Sequence, residues 1–192
     1  MKVKTLLVVL MMLFVCTESK AQYYKTKAID DIASKNLLSV GCKVENLTIT
    51  DLNGNPTELP YWGKKNVLIF YVDPDAYLNG NKTADFASEI EENKRAQGPG
   101  IEGFGIMNFP DTALPKDLLR KICRKRTAKN GAIIVDDDKH LLKNAWNLGN
   151  VNGKFLLIVV DKQGIVRYIR REPMDAAGKA EFYEMSENYK YE

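Results

Sequence analysis

The sequence has one histidine, three cysteines and no Cys-x-x-Cys pair among its 192 residues. A zinc site built on several histidines is therefore excluded, and a cysteine–histidine dyad would have to use His140. So few cysteines do not make a disulfide scaffold. No apolar run approaches the ~20 residues that a membrane-spanning helix needs. Internal repeats and low-complexity segments are also absent, so we expect an ordinary folded domain.

Residues 1–21 have the organisation of a cleavable signal peptide. Two lysines open the segment, and residues 6–16 form an apolar run. Ser19 and Ala21 then place small side chains at the −3 and −1 positions of a cleavage site before Gln22. These features predict an exported protein that is periplasmic or secreted after cleavage.

Lipid attachment at Cys16 is the alternative form of processing, but Val15 stands where lipoprotein signals usually have a small residue. After cleavage we predict an N-terminal arm at residues 22–40 and a single domain at residues 41–192. This mature chain has 25 basic and 24 acidic residues. Such a nearly neutral balance argues against a general nucleic-acid-binding protein. The oligomeric state is left open.

Two unbroken apolar runs, residues 67–72 and 155–160, predict the centre of a sheet. Neither run alternates, so both faces of each strand must be covered, as in a mixed sheet between helices. The surrounding patterns predict a strand pair, a strand, then alternating helices and strands, a hairpin, and a last helix capped by Asp175. This order predicts an α/β three-layer sandwich. The other predicted helices cover residues 84–97, 116–126 and 139–148.

This order, with a strand extension before the central strand, resembles that of thioredoxin-like proteins, including peroxiredoxins. The segment VENLTITDLNGNPTELPYWGKKNVLIFYV, residues 44–72, looks like their usual entry into the fold. The second half is similar to the YtfJ family of bacterial periplasmic proteins. That similarity is carried by Ile134-Val135-Asp136, Ala145-Trp146-Asn147-Leu148 and Asp161-Lys162-Gln163-Gly164. The resemblance covers about residues 40–172, and it implies a thioredoxin-like fold and a periplasmic location but no activity.

Two marks of thiol–disulfide chemistry are missing where this resemblance would place them. Redox-active relatives carry Cys-x-x-Cys, or one peroxidatic cysteine, after the central strand; this chain has Asp73-Pro74-Asp75. Active relatives also have a cis-proline just before the strand that matches residues 155–160, but residues 151–154 contain no proline. The resemblance therefore predicts a binding or accessory module without conventional thiol–disulfide activity or a cofactor, acting on an unknown protein or small ligand.

Cys42 and Cys123 leave an unconventional redox protein open as the alternative. An oxidising compartment would permit a disulfide between them. Cys123 falls near the buried stripe of its predicted helix, so an inert structural cysteine is the other interpretation. The flanking Arg120 and Arg124 would favour a thiolate if the sulfur were exposed.

A loop rich in oxygen ligands follows the central strand and includes Asp73, Asp75, Asn79 and Asn81. Its composition is typical of calcium loops, but its spacing does not fit an EF-hand. Together with Thr83, which could cap the next helix, the loop could instead bind an anion at the helix N-terminus.

A second candidate cation site consists of Asp136, Asp137 and Asp138 beside His140. The competing interpretation is a solvated turn that caps the following helix, and the sequence favours this interpretation.

Overall fold

A seven-stranded mixed sheet forms the centre of the molecule. The structure, a computed structural model, describes residues 36–78, 82–171 and 173–191, of which those from Leu38 onward belong to one unit. The strands are β1 Thr48–Asp51, β2 Pro56–Glu58, β3 Asn66–Val72, β4 Ile101–Met107, β5 Ile134–Asp136, β6 Phe155–Val160 and β7 Val166–Arg170. Their order across the sheet is β2-β1-β5-β4-β3-β6-β7.

Several predictions lie outside the described residues. These are the signal peptide at residues 1–21 with its Cys16 alternative, the arm up to residue 35, and two members of the oxygen-rich loop, Asn79 and Asn81.

The three central strands β3, β4 and β5 run parallel, and β6 lies antiparallel on the other side of β3. All seven residues of β3 and all six of β6 are buried. The apolar residues of these two runs do not alternate with polar ones, which predicted that both faces of each strand are covered. That prediction is confirmed. The outer strands β1, β2 and β7 are all antiparallel to their neighbours.

Helices cover the two faces unequally. They are α1 Pro74–Leu78, α2 Lys82–Asn93, α3 Lys116–Asn130, α4 Leu141–Ala145 and α5 Ala176–Tyr189. One face packs against α2, α3 and α5, as Phe86, Cys123 and Phe182 belong to its core. The opposite face packs against α4 and the chain before β1, through residues such as Leu142 and Val44. The result is the predicted α/β three-layer sandwich with an N-terminal strand extension.

Local signals explain most helix boundaries. Asp175 caps α5 as predicted, because its Oδ1 accepts a hydrogen bond of 2.7 Å from the amide of Gly178. The prediction for α3 ended too early: the helix continues to Asn130 and stops at Gly131, which adopts the left-handed conformation. The prediction for α2 ran too far, because Lys94 has a positive φ of 50° and breaks the helix. No helix within the described ranges is long and apolar enough to span a bilayer.

Candidate functional site

Buried polar side chains line the edge where the three parallel strands end. Asp73 follows β3, Asn108 follows β4, and Asp136 and Asp137 lie at the end of β5. None of the four is more than 1 % exposed. Polar groups at such depth need hydrogen-bond partners, so their partners determine what this edge can do.

Asp73 occupies the junction at which the resemblance places redox cysteines. Its Oδ1 accepts a hydrogen bond of 2.9 Å from the amide of Asp75, and its Oδ2 accepts one of 2.6 Å from the amide of Gly153. The first bond starts the short helix α1, in a segment that the sequence predicts as loop. Burial raises the pKa of Asp73, against the effect of these two amides. The carboxyl group therefore ties the junction to the loop before β6.

Asp75 does not share a site with Asp73. Its Oδ1 accepts a hydrogen bond of 2.7 Å from the hydroxyl of Thr112, which lies after β4. Thr83 lies in the first turn of α2. In the described part of the candidate binding loop, Asp73 and Asp75 therefore accept hydrogen bonds from different parts of the protein and do not form one site.

Asp137 caps α4, which confirms the capping half of the favoured interpretation. Its carboxylate accepts hydrogen bonds from the amides of Leu142 at 3.1 Å and Lys143 at 2.9 Å, and from the hydroxyl of Tyr71 at 2.9 Å. Burial, followed by the neighbouring charge of Asp137, raises the pKa of Tyr71. A solvated turn was the wrong expectation, because Asp137 is 1 % exposed.

Asp136 points to the opposite side of the sheet and meets α3. One oxygen, Oδ2, accepts a hydrogen bond of 2.9 Å from a terminal nitrogen of Arg120. The other, Oδ1, is buried without a protein partner. Burial raises the pKa of Asp136 to about 6 despite the arginine. Asp138 is bound instead by Lys116.

A third polar cluster surrounds Asp111, in the 3-10 turn Phe109–Asp111. Its carboxylate accepts hydrogen bonds from Asn108 at 2.6 Å and Lys143 at 3.0 Å. Although burial acts in the other direction, these donors lower the pKa of Asp111. Nε2 of His140 lies 3.0 Å from Oδ1 of Asp111, without the alignment of a hydrogen bond. The histidine thus faces Asp111 rather than the aspartates beside it in sequence.

These contacts do not bring the aspartates of either candidate cation site together. The aspartates at both candidate positions are bound by backbone amides, hydroxyl groups, a lysine or an arginine, and they point to different parts of the molecule. Among residues 36–78, 82–171 and 173–191, no three His, Cys, Asp or Glu side chains are grouped so that they could hold a metal ion. These aspartates look clustered in the sequence because they are close along the chain, but the sequence does not show in which direction each side chain points.

Cys42 and Cys123, the cysteines in the described part of the chain, do not form a pair. Both are free thiols. Cys42 packs against the core on the α4 face, whereas Cys123 belongs to the core on the α2–α3 face, so the sheet separates them. The structure thus does not join them in the disulfide that the redox alternative left open. Burial raises the pKa of Cys123 to about 11, while the Ser39 hydroxyl lowers the pKa of Cys42.

An apolar cavity of about 290 Å³ lies between α2, α3 and the sheet. Its lining includes Val72 and Pro74 at the end of β3, Gly105 on β4 and Cys123 on α3. No prediction from the sequence included this cavity. Its one signal in the sequence is Gly105, inside the strand β4, because strand glycines often mark the close approach of another group.

No family model matches the chain, and no curated protein matches it. Solved structures do. A domain of a possible thiol-disulfide isomerase from Cytophaga hutchinsonii has 19% sequence identity and a TM-score of 0.52, covering 79% of this chain and 95% of its own. The thioredoxin domain of a thiol-disulfide oxidoreductase from Bacteroides vulgatus has 19% identity and a TM-score of 0.51, covering 80% and 99%.

A peroxiredoxin-like protein from Aquifex aeolicus is similar at 13% identity and a TM-score of 0.53, covering 78% of this chain and 88% of its own. Identities this low establish architecture and do not transfer chemistry. Together with the sheet order and the helices on both faces, they show that the chain has a thioredoxin-like fold.

Proposed function

We propose that this chain is an exported binding module that uses a thioredoxin-like fold without thiol–disulfide turnover. The single observation that carries the proposal is the state of the junction after β3. A redox centre there needs an accessible thiolate. The junction instead holds Asp73, fully buried and bonded to the amides of Asp75 and Gly153.

The two available thiols give the redox alternative little support. Cys123 is 5 % exposed and has a raised pKa, so very little of it is thiolate at neutral pH. The Ser39 hydroxyl lowers the pKa of Cys42, but Cys123 lies across the sheet and cannot resolve an intermediate formed on Cys42. Peroxidase or isomerase turnover would therefore depend on a single cysteine far from the junction.

Turnover assays test the proposal directly. Purified protein is assayed for insulin reduction and for peroxide consumption with dithiothreitol, beside the variant Cys42→Ser/Cys123→Ser. We expect both proteins to match the rate with dithiothreitol alone. Turnover in the wild type that is lost in the variant would overturn the proposal.

A positive control is available within the chain. The double substitution Asp73→Cys/Ala76→Cys creates the Cys-x-x-Cys spacing at the start of α1. If this variant folds, its insulin reduction shows that the assay detects chemistry at this junction. Thermal unfolding monitored by circular dichroism establishes whether it folds.

Export is part of the proposal and draws on the N-terminal pattern and on the resemblance to YtfJ-type periplasmic proteins. The full chain is expressed in a Gram-negative host, and the periplasmic fraction is analysed by intact mass spectrometry. We expect a chain that begins at Gln22. A lipid-modified chain beginning at Cys16 would favour the lipoprotein alternative, and an uncleaved cytoplasmic chain would contradict export.

A further inference from the structure

Glycine at position 105 is not required by the backbone or by packing. Gly105 lies inside β4 and has no positive φ. A Cβ built on it would meet its nearest atom, Cγ1 of Ile134, at 3.7 Å, which is an ordinary contact. Because glycine weakens a strand interior, its presence usually reflects a bulge, a bend or the close approach of another group. Here the missing side chain leaves open space over the sheet.

That space belongs to the cavity of about 290 Å³ between α2 and α3. Its inner wall is formed by core residues, of which Ala87, Leu119 and Cys123 are 1 %, 4 % and 5 % exposed. Core residues rarely face unfilled apolar space larger than a water molecule, because such space forfeits packing energy. An open space of this size that reaches the core therefore suggests that another molecule fills it.

The cavity has one polar side and one open side. Glu91 of α2 and Arg126 of α3 line it and form an ion pair of 2.8 Å that joins the two helices. Asn130 also donates a hydrogen bond of 3.0 Å to Glu91. The carboxylate is therefore already bound by protein donors. Ile122 lines the cavity and is 51 % exposed, so the opening lies beside this side chain.

We infer that this cavity binds a small, uncharged and mainly apolar molecule of about ten to fifteen non-hydrogen atoms, the size of a bicyclic aromatic compound. The size follows from comparison with a dry apolar cavity of about 150 Å³, which holds benzene. A charged ligand is disfavoured, because the charges of Glu91 and Arg126 at the site are paired with each other. A protein partner is disfavoured because specific interfaces bury roughly 1,000 Å² or more, whereas most of these walls are already buried.

The inference rests on the proposed role as a binding module and names the class of its ligand. The probe is 1-naphthol, titrated into the full chain labelled with ¹³C at isoleucine and methionine methyl groups. We expect saturable shifts at Met107, Ile122 and Ile134, which line the cavity. Methyl groups of Ile69 and Ile158 belong to the core on the opposite face and should not move. Shifts spread over both faces, or no saturation, would overturn the inference.

Filling the cavity provides the specific test. Gly105→Leu places four carbon atoms over the strand, and we expect it to weaken 1-naphthol binding by roughly tenfold or more. Ala177→Leu places the same leucine side chain on the exposed face of α5 and should leave the affinity unchanged. Equal affinity in a folded Gly105→Leu variant would overturn the site.

If Gly105→Leu does not fold, the two native thiols provide a second test of the site. Cys123 lines the cavity, and Cys42 lies on the other face. Saturating 1-naphthol should therefore slow N-ethylmaleimide modification of Cys123 several-fold, without slowing Cys42, as followed by peptide mass spectrometry. Equal effects on both thiols, or none on Cys123, would overturn the inference. Thiol–disulfide turnover would refute the proposed function without affecting this result, so the two failures are distinguishable.

Discussion

Replacing Asp136 with asparagine should remove a specific pH dependence from the stability of this protein. Asp136 is fully buried, one of its oxygens has no protein partner, and burial raises its pKa to about 6 from an ordinary value of 3.8. The folded state therefore binds this proton more tightly than the unfolded state. By linkage, the free energy of unfolding must fall as the pH rises from about 4 to about 6.

The magnitude follows from the difference between the two pKa values. A difference of about two pKa units corresponds to about 3 kcal/mol over the whole titration. Between pH 4.5 and 7.5 about 2 kcal/mol of this should be visible, because part of the titration lies below pH 4.5. Asp136→Asn has no proton to bind and can still accept a hydrogen bond from Arg120. The stability of the wild type relative to this variant should therefore decline by about 2 kcal/mol across that interval.

Urea denaturation of both proteins at four pH values measures this quantity. Taking the difference cancels other groups, including Asp73, whose pKa is also raised by burial. With a denaturant slope of about 2 kcal/mol per molar, the midpoints should move by about 1 M relative to each other. Asp138→Asn is the matched control, since it removes a partly exposed carboxylate beside Arg120 and should give a smaller change. A wild-type-minus-Asp136→Asn difference constant within about 0.5 kcal/mol would refute the reasoning.

Three further predictions concern the cap, the thiols and the glycine. Asp137→Ala should lower the free energy of unfolding by about 2–4 kcal/mol in urea denaturation, because it leaves two amides and the Tyr71 hydroxyl unpaired. Tyr71→Phe should lower it by only about 1 kcal/mol. Equal losses in the two variants would contradict the capping role of Asp137. In a native thiol titration Cys42 should react readily and Cys123 many-fold more slowly, because Cys123 is buried and the two pKa values are shifted in opposite directions. Equal rates would contradict the burial of Cys123. Gly105→Ala should raise the free energy of unfolding by up to about 1 kcal/mol, as measured by thermal unfolding. A lower free energy of unfolding in this variant would contradict the open space beside Gly105.

The sequence predicted the architecture well, because the strongest signals were local. Apolar runs without alternation identified β3 and β6, and a capping aspartate at position 175 identified the start of α5. Boundaries were less well predicted. The helix α3 extends four residues beyond its expected end because a left-handed glycine, Gly131, rather than the last apolar residue, terminates it.

The polar edge could not be predicted from the same signals. Three consecutive aspartates beside a lysine and a histidine suggest a solvated turn or a cation site. Their actual roles depend on partners distant in the chain: Arg120 on α3 for Asp136, and Tyr71 on β3 for Asp137. The cavity is still harder to predict, because it depends on the distance between α2 and α3 above β4. Only Gly105 in β4 gives a signal for it in the sequence.

The two departures from redox relatives are chemically dependent on each other. A buried carboxylate at position 73 needs donors, and one of its two is the amide of Gly153, in the segment where active relatives have a cis-proline. Proline has no amide hydrogen, and Gly153 has a φ of 65°, which proline cannot adopt. An aspartate bonded in this way therefore excludes proline at position 153. The same bonds hold the start of α1, whose Pro74 lines the apolar cavity. A carboxylate bonded through both oxygens at this junction thus fixes the start of α1, which forms part of the wall of the cavity.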